Sequence, residues 1–154
     1  MDKEVLKSFS DADFGLEDKD MSNAKKRTIV RGIVVDQAGN VAVFNKRVAN
    51  EYKLPGGVVK DNESTEDTFL KEIKREIGCE IEIIEDIGII EERMSQDEVV
   101  QETYVYVGRV LEKGKIDYQN QEIDNSEIEN IYHTKFSVYR DEFITRYYLI
   151  KYIY

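Results

Sequence analysis

The chain has 154 residues, 41% hydrophobic and 10% aromatic, which suits one domain with its own core and is too apolar for a disordered chain. Thirty-two acidic residues against 22 basic ones leave a net charge of −10, which argues against a long nucleic acid or an anionic membrane as partner. One cysteine and one histidine exclude an internal disulfide, a cysteine-rich zinc site and a multi-histidine metal cluster. No apolar run approaches the roughly 20 residues that span a bilayer. The opening Met1-Asp2-Lys3-Glu4 is too polar for a secretory signal. The expectation is a soluble, cytoplasmic, single-domain protein.

Residues 1–27 are polar and weakly periodic, and read as an N-terminal arm or a short helix. Thr28 to Val35 is β-branched and apolar, with Arg31 and Gly32 inside it, and reads as a strand. Asp36-Gln37-Ala38-Gly39-Asn40 is turn chemistry, and Val41 to Arg47 follows as the second arm of a hairpin. The only proline, Pro55, stands against a glycine pair in Leu54-Pro55-Gly56-Gly57. That is either a tight turn or a rigid loop that presents backbone to a ligand.

Residues 64–78 carry the clearest helix. Ser64 is a good N-cap with Asp67 three residues on, and Gly78 is placed to end the helix in a left-handed turn. Phe69, Leu70, Ile73 and Ile77 form its apolar face. Residues 80–94 predict one strand or two short ones, and Val99 to Leu111 another. Residues 113–130 read as a long polar loop. From Phe136 onward Tyr139, Phe143, Tyr147, Ile150 and Tyr154 fall at helical spacing, which predicts a C-terminal helix. Strands alternating with a strong central helix and ending on another make a mixed α/β layered domain.

Glu72 and Glu76 lie on one edge of the central helix, beside its buried face. Like charges at i, i+4 repel, and a divalent cation would compensate them. Mg²⁺ is commonly held by one or two carboxylates plus substrate phosphates. Glu63, just ahead of the helix, could fold back onto the same edge. The alternative is a solvated acidic face in a chain that is 35% charged.

The flanking pattern favours the site. Gly57, five residues, Glu63, seven residues, then Lys71-Glu72-Ile73-Lys74-Arg75-Glu76-Ile77-Gly78-Cys79 resembles the Nudix box, as does the preceding Leu54-Pro55-Gly56-Gly57. The family pattern is Gly, five residues, Glu, seven residues, then Arg-Glu-apolar-any-Glu-Glu-any-Gly-apolar. The order of elements extends the resemblance over roughly 28–153, so residues 28–154 read as a Nudix domain. The resemblance implies a mixed sheet sandwiched between α-helices. It implies hydrolysis of a diphosphate linkage in a nucleoside-diphosphate-type small molecule, with Mg²⁺ or Mn²⁺ held by box glutamates. Carried over by position, Glu72 is a metal ligand that acts as base or positions it, and Glu76 is the second ligand. Glu63 is the outer glutamate oriented by Lys71, Gly56 and Gly57 shape the loop against the ligand, and Gly78 closes the box.

Two positions depart from the pattern. Lys71 stands where the family has Arg, which keeps a charge for Glu63 but loses the bidentate fork. Arg75 stands where the family has the first glutamate of a pair. A unit charge about 6 Å from a divalent cation interacts by roughly 5 kcal/mol at an effective dielectric of 20, so the reversal weakens metal binding. Arg75 either stays clear of the metal or touches a phosphate, leaving a weakened hydrolase, or it pairs with both glutamates and leaves a non-catalytic nucleotide-binding or regulatory module.

Arg47, after the second strand, and Arg31, inside the first, are candidate substrate contacts. Glu122 and Glu127 are both candidates for a further acidic group, and nothing in the sequence selects one. His133 reads as a structural or surface residue, and Cys79 as a small buried hydrophobe. The arm and the tyrosine-rich tail leave homodimerisation open.

Overall fold

The structure, a computed structural model, describes residues 3–46, 51–114 and 132–137. Its elements are β1 (Val5–Ser10), β2 (Lys25–Val35), β3 (Val41–Lys46), β4 (Glu51–Lys53), β5 (Gly56–Val58), α1 (Thr65–Ile77), β6 (Cys79–Met94), β7 (Val99–Lys113) and β8 (Tyr132–Ser137). The strands join in one mixed sheet ordered β1-β6-β7-β2-β3-β4, with β5 added to β2 and β8 to β3.

The sheet forks at β2. One edge of this strand pairs in parallel with β7 along its whole length, from Lys25–Val99 to Val35–Arg109. The other edge serves two partners. β5 pairs antiparallel with residues 29–31, and β3 begins its antiparallel pairing at Val35–Val41. Gly32 N–H donates to the Pro55 carbonyl and Val59 N–H to the Thr28 carbonyl, which extends the β5 side beyond its three paired residues. Gly56 and Gly57 thus belong to the sheet, and Pro55 is the bend that leads into them.

α1 packs on the face of β2 that carries Val30, Gly32 and Val34. Phe69 is fully buried there and stacks on Tyr106 of β7 with ring centroids 5.4 Å apart. Gly32 makes that possible, since a Cβ at this position would stand 2.0 Å from the Phe69 ring. Val30, Val34, Ala42, Phe69, Ile73, Ile77, Cys79, Ile81, Tyr106 and Val110 form one continuous core. Phe69, Ile73 and Ile77 face it as predicted, but Leu70 is 39% exposed and Thr68 is fully buried in its place. The two flank Phe69 about 100° either way, and hydropathy alone favoured the wrong one.

Other differences have local reasons. The segment read as an arm or short helix contributes β1, which lies parallel to β6 from Val5–Ile89 to Ser10–Arg93, and a 3₁₀ turn at Asp11–Phe14. Lys3, just before β1, donates to Tyr106 Oη at 2.9 Å and pairs with Asp86 at 2.5 Å. β2 starts at Lys25, three residues before the apolar run, because β7 offers its edge that far. Residues 79–94 are one strand bent by three irregularities, the last beside Gly88. Phe136 and Ser137, read as the start of the final helix, end β8, which pairs antiparallel with β3. The rest of that helix and most of the 113–130 loop lie outside the described residues. The described part of the fold is thus a mixed sheet with one helix on it. Among the described residues no helix is long and apolar enough to cross a membrane.

Candidate active site

The site forms where α1, β5 and β2 meet at the fork. α1 starts as its sequence dictates. Ser64 is extended (φ −78°, ψ 155°) and its hydroxyl accepts the Asp67 N–H at 3.0 Å. Glu66 and Asp67 occupy the first turn and Lys74 and Arg75 the last, both favourable to the helix dipole. Gly78 ends it in the left-handed conformation (φ 68°), where a side chain would be strained. These caps fix the register that turns Glu72 and Glu76 toward β5.

Contact between helix and loop is close. A Cβ on Gly57 would stand 2.8 Å from Cγ and 2.9 Å from the carboxyl carbon of Glu72, so only glycine lets this carboxylate approach the backbone. Gly56 has φ 155° and faces Arg31 across the ladder, and a Cβ there would stand 1.9 Å from the Val30 carbonyl oxygen. Its N–H donates to Glu76 Oε2 at 3.0 Å. Burial pushes the Glu76 carboxyl up to about 7, against the pull of the Gly56 N–H and of the Arg75 and Arg31 charges.

Arg75 folds back over the pair. Its Nη2 lies 2.5 Å and its Nε 3.0 Å from Glu72 Oε2, and Nη2 lies 3.6 Å from Glu76 Oε1. The side chains of Glu72 and Glu76 are 12% and 19% exposed, and that of Arg75 is 43% exposed. Of the two arrangements open to Arg75 in the sequence, the structure shows the one that pairs it with both glutamates.

Glu63 is held from two sides. Lys71 Nζ donates to Oε1 at 2.5 Å and Thr68 Oγ1 to Oε2 at 3.1 Å, and the Lys71 hydrogen bond, with help from Thr68, holds this carboxyl below its ordinary range. Lysine thus makes the contact with one nitrogen that arginine would make with two. Thr68 is the partner that sequence reasoning missed; a hydroxyl five residues after Glu63, on the buried side of the first helical turns, was the available signal.

The structure therefore seats Glu72, Arg75 and Glu76 of α1 against Gly56 and Gly57 of β5, sets Arg31 opposite Gly56 in the ladder, and separately joins Glu63 to Lys71 and Thr68. Gly78 stays at the end of the helix. Arg47, Glu122 and Glu127 lie outside the described residues. His133 falls in β8, opposite Asn45 in the ladder. Cys79 is buried and its Sγ donates to the Ile77 carbonyl at 3.6 Å, and burial pushes the thiol up, as fits a small core residue.

A family model, the NUDIX domain, matches residues 25–146. The chain belongs to the Nudix family. An 8-oxo-dGTP diphosphatase of Proteus vulgaris is 31% identical over 65 residues, which are 40% of this chain and 58% of that protein, so the match spans less than two thirds of the relative. Two solved structures share the fold with TM-scores of 0.52. A Nudix hydrolase from Nitrosomonas europaea is 17% identical, over 61% of this chain and 67% of the other. A UDP-X diphosphatase is 18% identical, over 62% of this chain and 47% of the other.

Nudix proteins generally use a divalent metal, and the donor set here can be tested for it. Glu72 and Glu76 are hard oxygen donors one helical turn apart and partly open to solvent, which suits a single Mg²⁺ or Mn²⁺ completed by water and substrate. Among the described residues no group of three or more histidine, cysteine, aspartate or glutamate side chains gathers to hold a metal. Within the box, Arg75 stands where the family pattern has a carboxylate. Glu72 and Glu76 thus offer carboxylate oxygens to a divalent cation.

Proposed function

We propose that this chain is a cytoplasmic Nudix hydrolase that cleaves a diphosphate linkage in a nucleoside-diphosphate-type small molecule, with Mg²⁺ or Mn²⁺ as cofactor. The observation that carries the proposal is the seating of Glu72 and Glu76 against Gly56-Gly57 at the sheet fork, within a box that departs from the family pattern at two positions. Glu72 and Glu76 would hold the ion. When bound, it supplies positive charge against the phosphate oxygens, whose negative charge grows as the linkage breaks. Glu72 would also take the proton of the attacking water or orient its acceptor. Glu63 acts through Lys71 and Thr68 as a positioning residue. Arg31, beside Gly56, and Arg47, outside the described residues, are assigned to substrate phosphate or base. The further acidic group, Glu122 or Glu127, is assigned to the same stretch beyond β7. A single buried cysteine suits a reducing compartment.

The pairing of Arg75 with both glutamates favours a second reading, a nucleotide-binding or regulatory module without catalysis. A hydrolysis screen separates the two. Nucleoside triphosphates, dinucleoside polyphosphates, nucleotide sugars and ADP-ribose would be tested with Mg²⁺ and with Mn²⁺, and Glu72→Gln run alongside. Turnover that disappears in Glu72→Gln supports the hydrolase and names the substrate class. Absence of turnover above that variant, in folded protein, supports the binding module.

A further inference from the structure

Arg75 gives the Glu72–Glu76 pair an unusual charge balance. Glu72 Oε2 receives two nitrogens of Arg75, and the same guanidinium reaches toward Glu76. Two carboxylates thus share the one guanidinium group of Arg75. A dication entering this site unaided would meet the guanidinium at the oxygens it needs and leave an excess of positive charge. An anionic ligand arriving with it would remove both obstacles. The Arg75 side chain is 43% exposed on a helix surface, so it can change partner without disturbing the core. Guanidinium binds phosphate and carboxylate with the same planar fork.

We propose that Arg75 is an exchangeable counter-ion that occupies the glutamate pair in the free protein and transfers to the phosphates of an anionic ligand as a divalent cation takes its place. Cation and phosphate then bind together and each alone binds weakly. The proposal rests on the metal-dependent reading above and deepens it. Arg75 becomes a phosphate contact in the loaded site, which a glutamate at this position could not be.

Mn²⁺ binding by the full chain, followed by the electron paramagnetic resonance of the free ion, tests this without using turnover. Wild type, Arg75→Gln and Arg75→Lys would be titrated with and without methylenediphosphonate, a diphosphate mimic that resists hydrolysis. With Mn²⁺ alone, Arg75→Gln should bind roughly tenfold tighter or more than wild type, because glutamine keeps the helix and removes the competing charge. Arg75→Lys should fall between them, since it keeps the charge and loses the fork. Methylenediphosphonate should raise the Mn²⁺ affinity of wild type by a larger factor than that of Arg75→Gln. Equal Mn²⁺ affinities of wild type and Arg75→Gln would overturn the competition. Equal enhancement by methylenediphosphonate would overturn the transfer to phosphate. Either result leaves the hydrolase reading standing, whereas Mn²⁺ binding by neither protein, with or without the diphosphonate, overturns both.

Discussion

Two acidic side chains stand at different stations along β2 and show how carboxylates differ when they hold a fold and when they line a site. Asp36, just past the end of the strand, is surrounded by donors. Its Oδ1 accepts the N–H groups of Ala38 and Asn40, each at 2.9 Å. Its Oδ2 accepts the Asn40 side-chain amide at 3.1 Å and Lys113 Nζ at 2.7 Å. The Lys113 hydrogen bond above all holds this carboxyl well below the usual range, although the side chain is 5% exposed. It closes the β2–β3 turn and ties it to the end of β7. Glu76, beside the middle of β2, has its carboxyl raised because burial outweighs the charges and the Gly56 N–H that favour ionisation. A carboxylate with ample donors is already satisfied. One whose ionised form is short of stabilisation gains from an added cation, and that is a mark of a functional site.

The largest effect that would sharpen this contrast is catalytic. Glu72→Gln keeps the shape against Gly57 and removes the charge, so hydrolysis should fall roughly a hundredfold or more while the melting temperature changes little. A fall in stability in place of activity would make Glu72 a structural residue like Asp36. The next largest effect is in pH. Below about 4.5 the Glu76 carboxyl is protonated in both folded and unfolded chains, and between there and about 7 the unfolded chain releases the proton first. Stability should therefore fall as pH rises through this window, by at most roughly 3 kcal/mol. Denaturant unfolding at a series of pH values checks this, with Glu76→Gln expected to flatten the slope. Asp36 has the opposite sign. Its lowered value gives stability above the unfolded value of 3.8 that is lost on acidification.

Asp36→Ala should cost roughly 2 kcal/mol, because it leaves the turn N–H groups without their acceptor. Turnover per folded molecule should be kept, and a loss of turnover at unchanged stability would erase the distinction between the two regions. The smallest effect is expected at the half-exposed Lys71–Glu63 pair. Lys71→Ala should lower stability by under about 1 kcal/mol, measured by thermal unfolding. Lys71→Arg should restore it with a second contact to Glu63.

Much of this site was legible in the residues. Ser64 and Gly78 mark the ends of α1 by capping chemistry that needs no distant partner, and the spacing from Gly57 to Gly78 carries the family pattern in one dimension. Phe69, Ile73 and Ile77 follow from helical period. Thr68 and Leu70 did not resolve, because they sit symmetrically about Phe69 and only the packed fold shows which one turns inward. The β1 strand was invisible for a related reason. Its six residues show no clean alternation, and they pair only because the edge of β6 is beside them.

What the sequence determined by itself is the local part of the protein: the helix and its caps, the β2–β3 hairpin, the glycine pair and the set of charged residues available to the site. What only the tertiary structure decided is which charges far apart in the chain meet. Arg31 and Glu76 are 45 positions apart, and β2–β5 pairing sets Arg31 opposite Gly56, whose N–H donates to Glu76. Arg75 had two arrangements open to it in one dimension, and the seating of Glu72 under Gly57 left that carboxylate facing the guanidinium. Capping and periodicity act within a few residues, so they can be read from the chain. Electrostatic partnership acts across space, so it waits for the fold.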